Sequence, residues 1–360
     1  MIEITDIITP EQAAEARRIG NILRRSRRVV ITCHMSPDGD AMGSSLALAR
    51  VLDNMGISAR VFTPDEPNRN LMILPGAERV LCFSRYGGVI LRSFGSADLV
   101  VSLDYNAFSR LSRMAQPAAE SPAAKIMIDH HLNPETEGFE AVVSASDRSS
   151  TCSLLYSVLV AAGLDKYIDS DVATCLLAGM MTDTNNFSHN ANHSEDYLIV
   201  SDLVARGADK NRLYTELFNT FSESCLRLNG YAISQKMTLF GPQHGAMIIL
   251  SRDELNSFSY AKGDTEGLVN RPLAIPGIVY SAYFREESDY IKVSMRSVGD
   301  FPCDIICSKY FGGGGHRNAS GGEFHGTLDE AAALFSSLVD EFNRLYIDSD
   351  KASNFNSQQS

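Results

Sequence analysis

The spacing of apolar residues changes character along the chain. Runs at 28–34 (RVVITCH), 58–62, 98–104 (DLVVSLD) and 125–129 (KIMID) are apolar at odd and even positions alike, as strands covered on both faces should be. Helical spacing takes over at 40–54, with Gly56 placed to end that helix, and again at 150–162 and 171–181. Alternation of this kind predicts a doubly wound parallel sheet of α/β type. From 194 to 236 the pattern is helical almost throughout, which predicts a helical connector. Strand signals return at 246–250, 277–285 and 290–297, the last two antiparallel across the polar turn 286–289. A helix at 302–310, a glycine-rich turn and a closing helix at 328–345 complete a smaller α+β domain. The expected organisation is thus 1–193, a connector 194–236, a second domain 237–347, and a polar tail 348–360 expected to be disordered.

Composition narrows the function classes. With 44% hydrophobic and 21% charged residues, the 360-residue chain is of ordinary globular type, not fibrous and not a membrane bundle. A net charge of −12 repels phosphate backbones at long range, so a long nucleic-acid track is not expected, whereas a local cationic pocket for a short anion is compatible with it. Seven scattered cysteines with no C-x-x-C pair read as reduced thiols. Neither a signal sequence nor a run of about 18 apolar residues is present, so no membrane partner is expected and the expected location is cytoplasmic.

Acids and histidines gather after the apolar runs. His34-Met-Ser-Pro-Asp38-Gly-Asp40-Ala-Met-Gly43-Ser44 follows the first, Asp104 a later one, Asp129-His130-His131 the next, and Asp183 closes LLAGMMTDT. Open α/β sheets bind ligands at such strand ends. Each signal alone has an ordinary explanation: Asp40 can cap a helix, Asp104 can start a turn, and Asp-His-His can be a hydrogen-bonded network. Together they suggest a metal site, because imidazole and carboxylate suit a divalent ion such as Mn2+, with Mg2+ or Co2+ as alternatives. The four carboxylates Asp38, Asp40, Asp104 and Asp183 match the charge of two divalent ions. Such a pair stabilises the attacking and leaving oxygens of a phosphoryl displacement.

The motifs H-x-x-P-D-G-D-A-x-G-S, an isolated Asp, D-H-H and T-D-T resemble those of the DHH phosphoesterases. Phe311-Gly-Gly-Gly-Gly315-His316-Arg317-Asn318-Ala319-Ser320-Gly321 is similar to the signature of their associated C-terminal domain, DHHA1, and Glu266-Gly-Leu-Val-Asn270 and Ser294-Met-Arg296-Ser297 resemble further elements of the nano-RNase branch. The resemblance implies a DHH domain, a connector and a DHHA1 domain. It implies one metal on His34, Asp38 and Asp104, and another on Asp40, Asp104, His130 and Asp183, with Asp104 shared and catalytic. His131 would face the phosphate as a donor or general acid, and Asp129 would orient an imidazole. Ser44, opening a helix, together with Arg110, Asn270, Arg296, Gly313, Gly314, Gly315, His316 and Arg317, would contact substrate. The implied activity is hydrolysis of short oligoribonucleotides to mononucleotides, and also of 3′-phosphoadenosine 5′-phosphate. A cyclic or linear dinucleotide phosphodiesterase, a manganese pyrophosphatase or exopolyphosphatase, and a catalytically silent nucleotide-binding regulator stay open as rivals, as does a homodimer. Two departures stand out. Many family members have glycine where this chain has Ser112, and a basic residue after T-D-T-G where this chain reads Asn185-Asn186-Phe187-Ser188.

Overall fold

A computed structural model describes residues 8–347; the tail expected to be disordered lies outside them. The chain divides into two units between Thr220 and Phe221.

In the first unit, helix α1 (Pro10–Arg25) leads into β1 (Arg28–Thr32), α2 (Gly39–Asn54) and β2 (Ser58–Thr63). Next come β3 (Leu81–Cys82), α3 (Phe83–Ser96), β4 (Leu99–Leu103), α4 (Ala115–Ala119), β5 (Ala124–Asp129) and β6 (Ala141–Ser144). Helices α5 (Thr151–Ala161), α6 (Ser170–Asp183), α7 (Ser194–Ala205) and α8 (Lys210–Phe218) complete it. The six strands are parallel in the order β3-β2-β1-β4-β5-β6. The dual-parity apolar pattern is explained by burial: Val29, Ile31 and Val101 join the core under α1, α2, α5 and α6, while Val30 and Val100 join the one under α3 and α4. Strand order reverses between β1 and β4, and the ends of such strands form the crevice in which open sheets bind ligands.

Helix α2 lies directly against α6. A Cβ added to Gly43 would sit 2.5 Å from the Cys175 carbonyl oxygen, so only glycine permits this approach. Gly56 takes a left-handed conformation just past the helix end, as its position predicts.

The second unit contains α9 (Glu223–Gln235), β7 (Met237–Phe240), β8 (Gly245–Leu250), α10 (Arg252–Ser257), β9 (Tyr280–Glu286) and β10 (Ile291–Ser297), then α11 (Cys303–Tyr310), β11 (Gly314–His316), β12 (Ala319–Phe324) and α12 (Leu328–Tyr346). Its sheet runs β11-β12-β10-β9-β8-β7 and is antiparallel except at β8–β9. Phe335 and Phe342 of α12 pack on Phe284, Val293 and Met295 of one sheet face, and Leu228 and Ala232 of α9 pack on Ile248 and Tyr283 of the other.

Three features differ from the sequence reading. The stretch 194–236 is shared out: Ile199, Leu203, Leu213 and Leu217 join the first unit's core, while Leu228 and Ala232 join the second unit's. The glycine-rich turn is an edge strand, β11, in a hairpin with β12. A Cβ on Gly313, just before the strand, would run into the Gly321 carbonyl oxygen, so that glycine meets a packing requirement. Finally, Asp183 is the last residue of a helix, not the end of a strand. Among the described residues no helix is long and apolar enough to cross a membrane.

Ser112 sits within the 3₁₀ stretch Phe108–Met114 at φ 50°, ψ −126°, a conformation that glycine adopts far more readily. Strain of this kind costs about 1–3 kcal/mol, offset in part by the roughly 0.5–1 kcal/mol entropic cost of glycine. Ser112→Gly is expected to stabilise the protein by about 1 kcal/mol and raise its Tm by about 2–4 °C; calorimetry showing a lower Tm would contradict this.

Candidate metal centre

The loop after β1 carries the first donors. His34 is buried, and its Nδ1 lies 2.7 Å from the Met35 carbonyl oxygen, so that nitrogen donates and Nε2 turns inward. Asp38 caps α2, accepting from the Asp40 and Ala41 N–H groups at 3.0 and 3.1 Å. The cap is therefore Asp38, not Asp40. Asp40 lies in the first turn and accepts from the Thr151 N–H at 2.6 Å and the Cys152 N–H at 2.9 Å. Asp104 directly follows β4 at φ 62°, a left-handed conformation uncommon outside glycine that aspartate adopts more readily than most residues. Asp129 ends β5, which delivers His130 and His131.

These side chains converge. His34 Nε2 lies 3.8 Å from Asp38 Oδ1 and 3.4 Å from Asp104 Oδ2. On the other side of Asp104, His130 Nε2 is 3.6 Å from Oδ1 and also 3.5 Å from Asp183 Oδ2. The His130 ring is held by its Nδ1, 3.2 Å from the Arg148 carbonyl oxygen. Two groups thereby share donor atoms within 4.8 Å: His34, Asp38 and Asp104, and Asp40, His130 and Asp183. A third joins Asp104, His130 and His131. Separations of 3.4–3.8 Å are long for hydrogen bonds, yet close to the ~3.4 Å between two donors that sit ~2.1 Å from one ion at tetrahedral angles. Moreover, among the described residues Asp38, Asp104 and Asp183 form ion pairs with imidazoles alone. The donor set fits divalent cations.

Electrostatics agree. Asp40 and Asp104 are only 1% and 2% exposed. Burial, and then the charges of Asp104 and Asp183, push Asp40 well above the usual carboxylate range. Burial acts the same way on Asp104, but the close His34 imidazole and the charges of His34, His130 and His131 outweigh it and hold Asp104 below that range. Burial disfavours the His34 imidazolium, yet Asp104 and Asp38 more than offset it and raise its pKa; His130 is raised against its burial by Asp104 and Asp40.

The other expected contacts divide. Asp129 accepts from His131 Nδ1 at 2.7 Å, which orients that ring. Ser44 is corrected: the helix opens at Gly39, so Ser44 falls in its second turn, fully buried, with its hydroxyl donating to the Asp40 carbonyl oxygen at 2.7 Å. It cannot meet a substrate. Arg110 is exposed, and its carbonyl accepts from the Met35 N–H at 2.8 Å beside His34. In the second unit, Asn270 is exposed, and the Arg296 guanidinium donates to the Met295 carbonyl at 2.9 Å. Arg317 pairs with Asp300 at 3.3 Å. Gly313, Gly314 and Gly315, beside the exposed His316, line a cleft of about 450 Å³ with Asp304, Ile305, Ser308 and Lys309. Sequence reasoning missed Thr151 and the Arg148 carbonyl, because Ser-Ser-Thr before a helix looks like ordinary capping.

The imidazole–carboxylate cluster lies at the switch point of an open parallel sheet, where such folds bind ligands, and comparison with known proteins gives the class: a phosphoester hydrolase. Residues 28–180 match the DHH family, N-terminal domain. The bifunctional oligoribonuclease and PAP phosphatase NrnA of Thermus thermophilus is 30% identical, over 84% of this chain and 86% of its own. Its Bacillus subtilis namesake is 26% identical, over 86% and 93%. The crystal structure of an exopolyphosphatase-related protein from Bacteroides fragilis superposes with a TM-score of 0.90 at 40% identity, covering 92% of this chain and 97% of that one. The chain belongs to the DHH family of phosphoester-hydrolysing enzymes.

The raised groups hold more protons in the folded than in the unfolded chain. Their contribution is therefore present below the ordinary pKa and lost as pH climbs through the raised value. For His34 and His130 that loss begins near the ordinary value of 6.5. Asp104, held low, contributes stability that is constant across this range and is lost only as pH falls into the acid region below its ordinary pKa. With divalent ions chelated, urea unfolding between about pH 6 and 8.5 is expected to show stability falling as pH rises, and added Mn2+ to remove the fall. Metal-free stability that rises over this range would contradict the assignment.

Proposed function

We propose that this chain is a two-metal phosphodiesterase that hydrolyses short oligoribonucleotides to mononucleotides and also removes phosphate from 3′-phosphoadenosine 5′-phosphate. The observation that carries the proposal is the position of Asp104: its Oδ2 faces His34 and its Oδ1 faces His130, so one carboxylate can serve both donor groups. His34, Asp38 and Asp104 would hold one ion; Asp40, Asp104, His130 and Asp183 the other. Mn2+ suits this mixture of nitrogen and oxygen donors. Bound ions supply Lewis acidity to the attacking and leaving oxygens of a phosphoryl displacement.

The chain's own groups do the rest. His34 and His130 present Nε2 because their Nδ1 atoms are tied to backbone carbonyls. The Asp129 carboxylate can only accept, so Nδ1 of His131 carries the hydrogen between them and Nε2 is the nitrogen that exchanges a proton with a leaving oxygen. In the second unit, Arg296, His316 and Arg317, with the glycines of β11 and with Asn270, would contact phosphate or ribose. Arg110 would do so in the first. The Arg317–Asp300 pair is exposed, so exchanging it for a phosphate costs little. A net charge of −12 favours substrates with few phosphates, in keeping with the names of the relatives.

A second reading, cleavage of phosphoanhydrides, is favoured by the 40% identity to an exopolyphosphatase-related protein. The test is a panel with Mn2+ that contains di- to pentaribonucleotides, 3′-phosphoadenosine 5′-phosphate, a cyclic dinucleotide, long single-stranded DNA, pyrophosphate and polyphosphate. Mononucleotide release fastest from the shortest RNAs, reduced to background in Asp104→Asn without loss of fold, is the expected result. Turnover of polyphosphate or pyrophosphate alone would overturn the substrate assignment, and unchanged turnover in Asp104→Asn would overturn the site.

A further inference from the structure

The loop after β6 and the first turn of α5 touch three of the metal-type donors while contributing none themselves. The Arg148 carbonyl oxygen holds His130 Nδ1 at 3.2 Å, and the Thr151 and Cys152 N–H groups hold the two oxygens of Asp40 at 2.6 and 2.9 Å. The Thr151 hydroxyl lies 2.9 Å from Asp104 Oδ1. An ionised carboxylate only accepts, so the hydroxyl donates. Thr151 therefore bonds the buried carboxylates Asp40 and Asp104 at once, the first through its backbone and the second through its side chain, and is itself fully buried.

We propose that Thr151 is the positioning residue that fixes the rotamer of the shared carboxylate Asp104 relative to Asp40. This inference rests on the two-metal reading above. The argument concerns charge as much as geometry. A carboxylate at the junction of two donor groups needs something to stop it rotating about its side-chain bonds, or its oxygens face the wrong neighbours. A lysine or arginine could do this, but only by neutralising the charge that the ions require. A hydroxyl and a helix-terminal N–H orient the oxygens and favour their ionised form while leaving the net charge untouched. With one lone pair of Oδ1 taken by Thr151, the remaining one points to the His130 side, and Oδ2 is left to the His34 side. The hydroxyl, not the methyl, is the acting group, so serine can replace threonine and valine cannot.

Three measurements on the full chain test this: Mn2+ titration calorimetry on protein stripped of metal, thermal unfolding of the stripped forms, and kcat and KM at saturating Mn2+. For Thr151→Val, ion binding is expected to weaken by roughly 10–100-fold and kcat to fall with little change in KM, as when an outer hydrogen bond to a ligand is removed. Thr151→Ser is expected to bind and turn over within about 3-fold of wild type, since it keeps the donor. The metal-free melting temperatures should stay close together; if valine does not fold, Thr151→Ala replaces it. Wild type that binds two ions while Thr151→Val binds them equally well would overturn the positioning role alone, as would a serine variant as impaired as valine. Wild type that binds no ions would overturn the two-metal reading with it.

Discussion

The first unit is organised around a repulsion. Asp38, Asp40, Asp104 and Asp183 stand close together, two of them almost fully withdrawn from water, where like charges interact strongly. Without cations the cluster keeps protons, which is why His34, His130 and Asp40 titrate high. A cluster of this composition suits occupation by positive charge. That single constraint accounts for the inward-facing Nε2 atoms and the neutral donors of Thr151 and Cys152.

The fold supplies the geometry from distant parts of the chain. The reversal of strand order puts the end of β1 beside the end of β4, so His34 and Asp104 become neighbours across 70 residues of sequence. Asp183 reaches the same place from the end of a helix, and it can do so only because α2 and α6 approach closely. Gly43 makes room for the Cys175 carbonyl, and Gly39 and Gly179 make room for Thr182 and Cys152. A methyl group at any of these positions would push α6, and Asp183 with it, away from Asp40.

Much of this was legible in the sequence, for a physical reason. Strands covered on both faces cannot hide their apolar character, so β1, β2, β4 and β5 were expected close to where they lie. Residues with metal-donor chemistry are few, and their clustering after strands stood out. What escaped were features with no distinctive local signal. The hairpin of β11 and β12 is built from glycines, which carry no alternation of polarity. Helices α7, α8 and α9 look alike in pattern, so nothing local says that the unit boundary falls between Thr220 and Phe221. Ser44 was expected to open α2 and contact substrate, but the helix begins five residues earlier at Gly39, capped by Asp38, so Ser44 lies inside it. Thr151 looked like part of a cap, and only the three-dimensional contact with Asp104 gives it a role.

The most direct test of the central claim is a crystal structure of the protein soaked with Mn2+, with anomalous scattering measured at the manganese edge. Two peaks on either side of Asp104 are predicted, one against His34 and Asp38 and the other against Asp40, His130 and Asp183. A single peak that leaves Asp104 out, or none among these residues, would contradict the account.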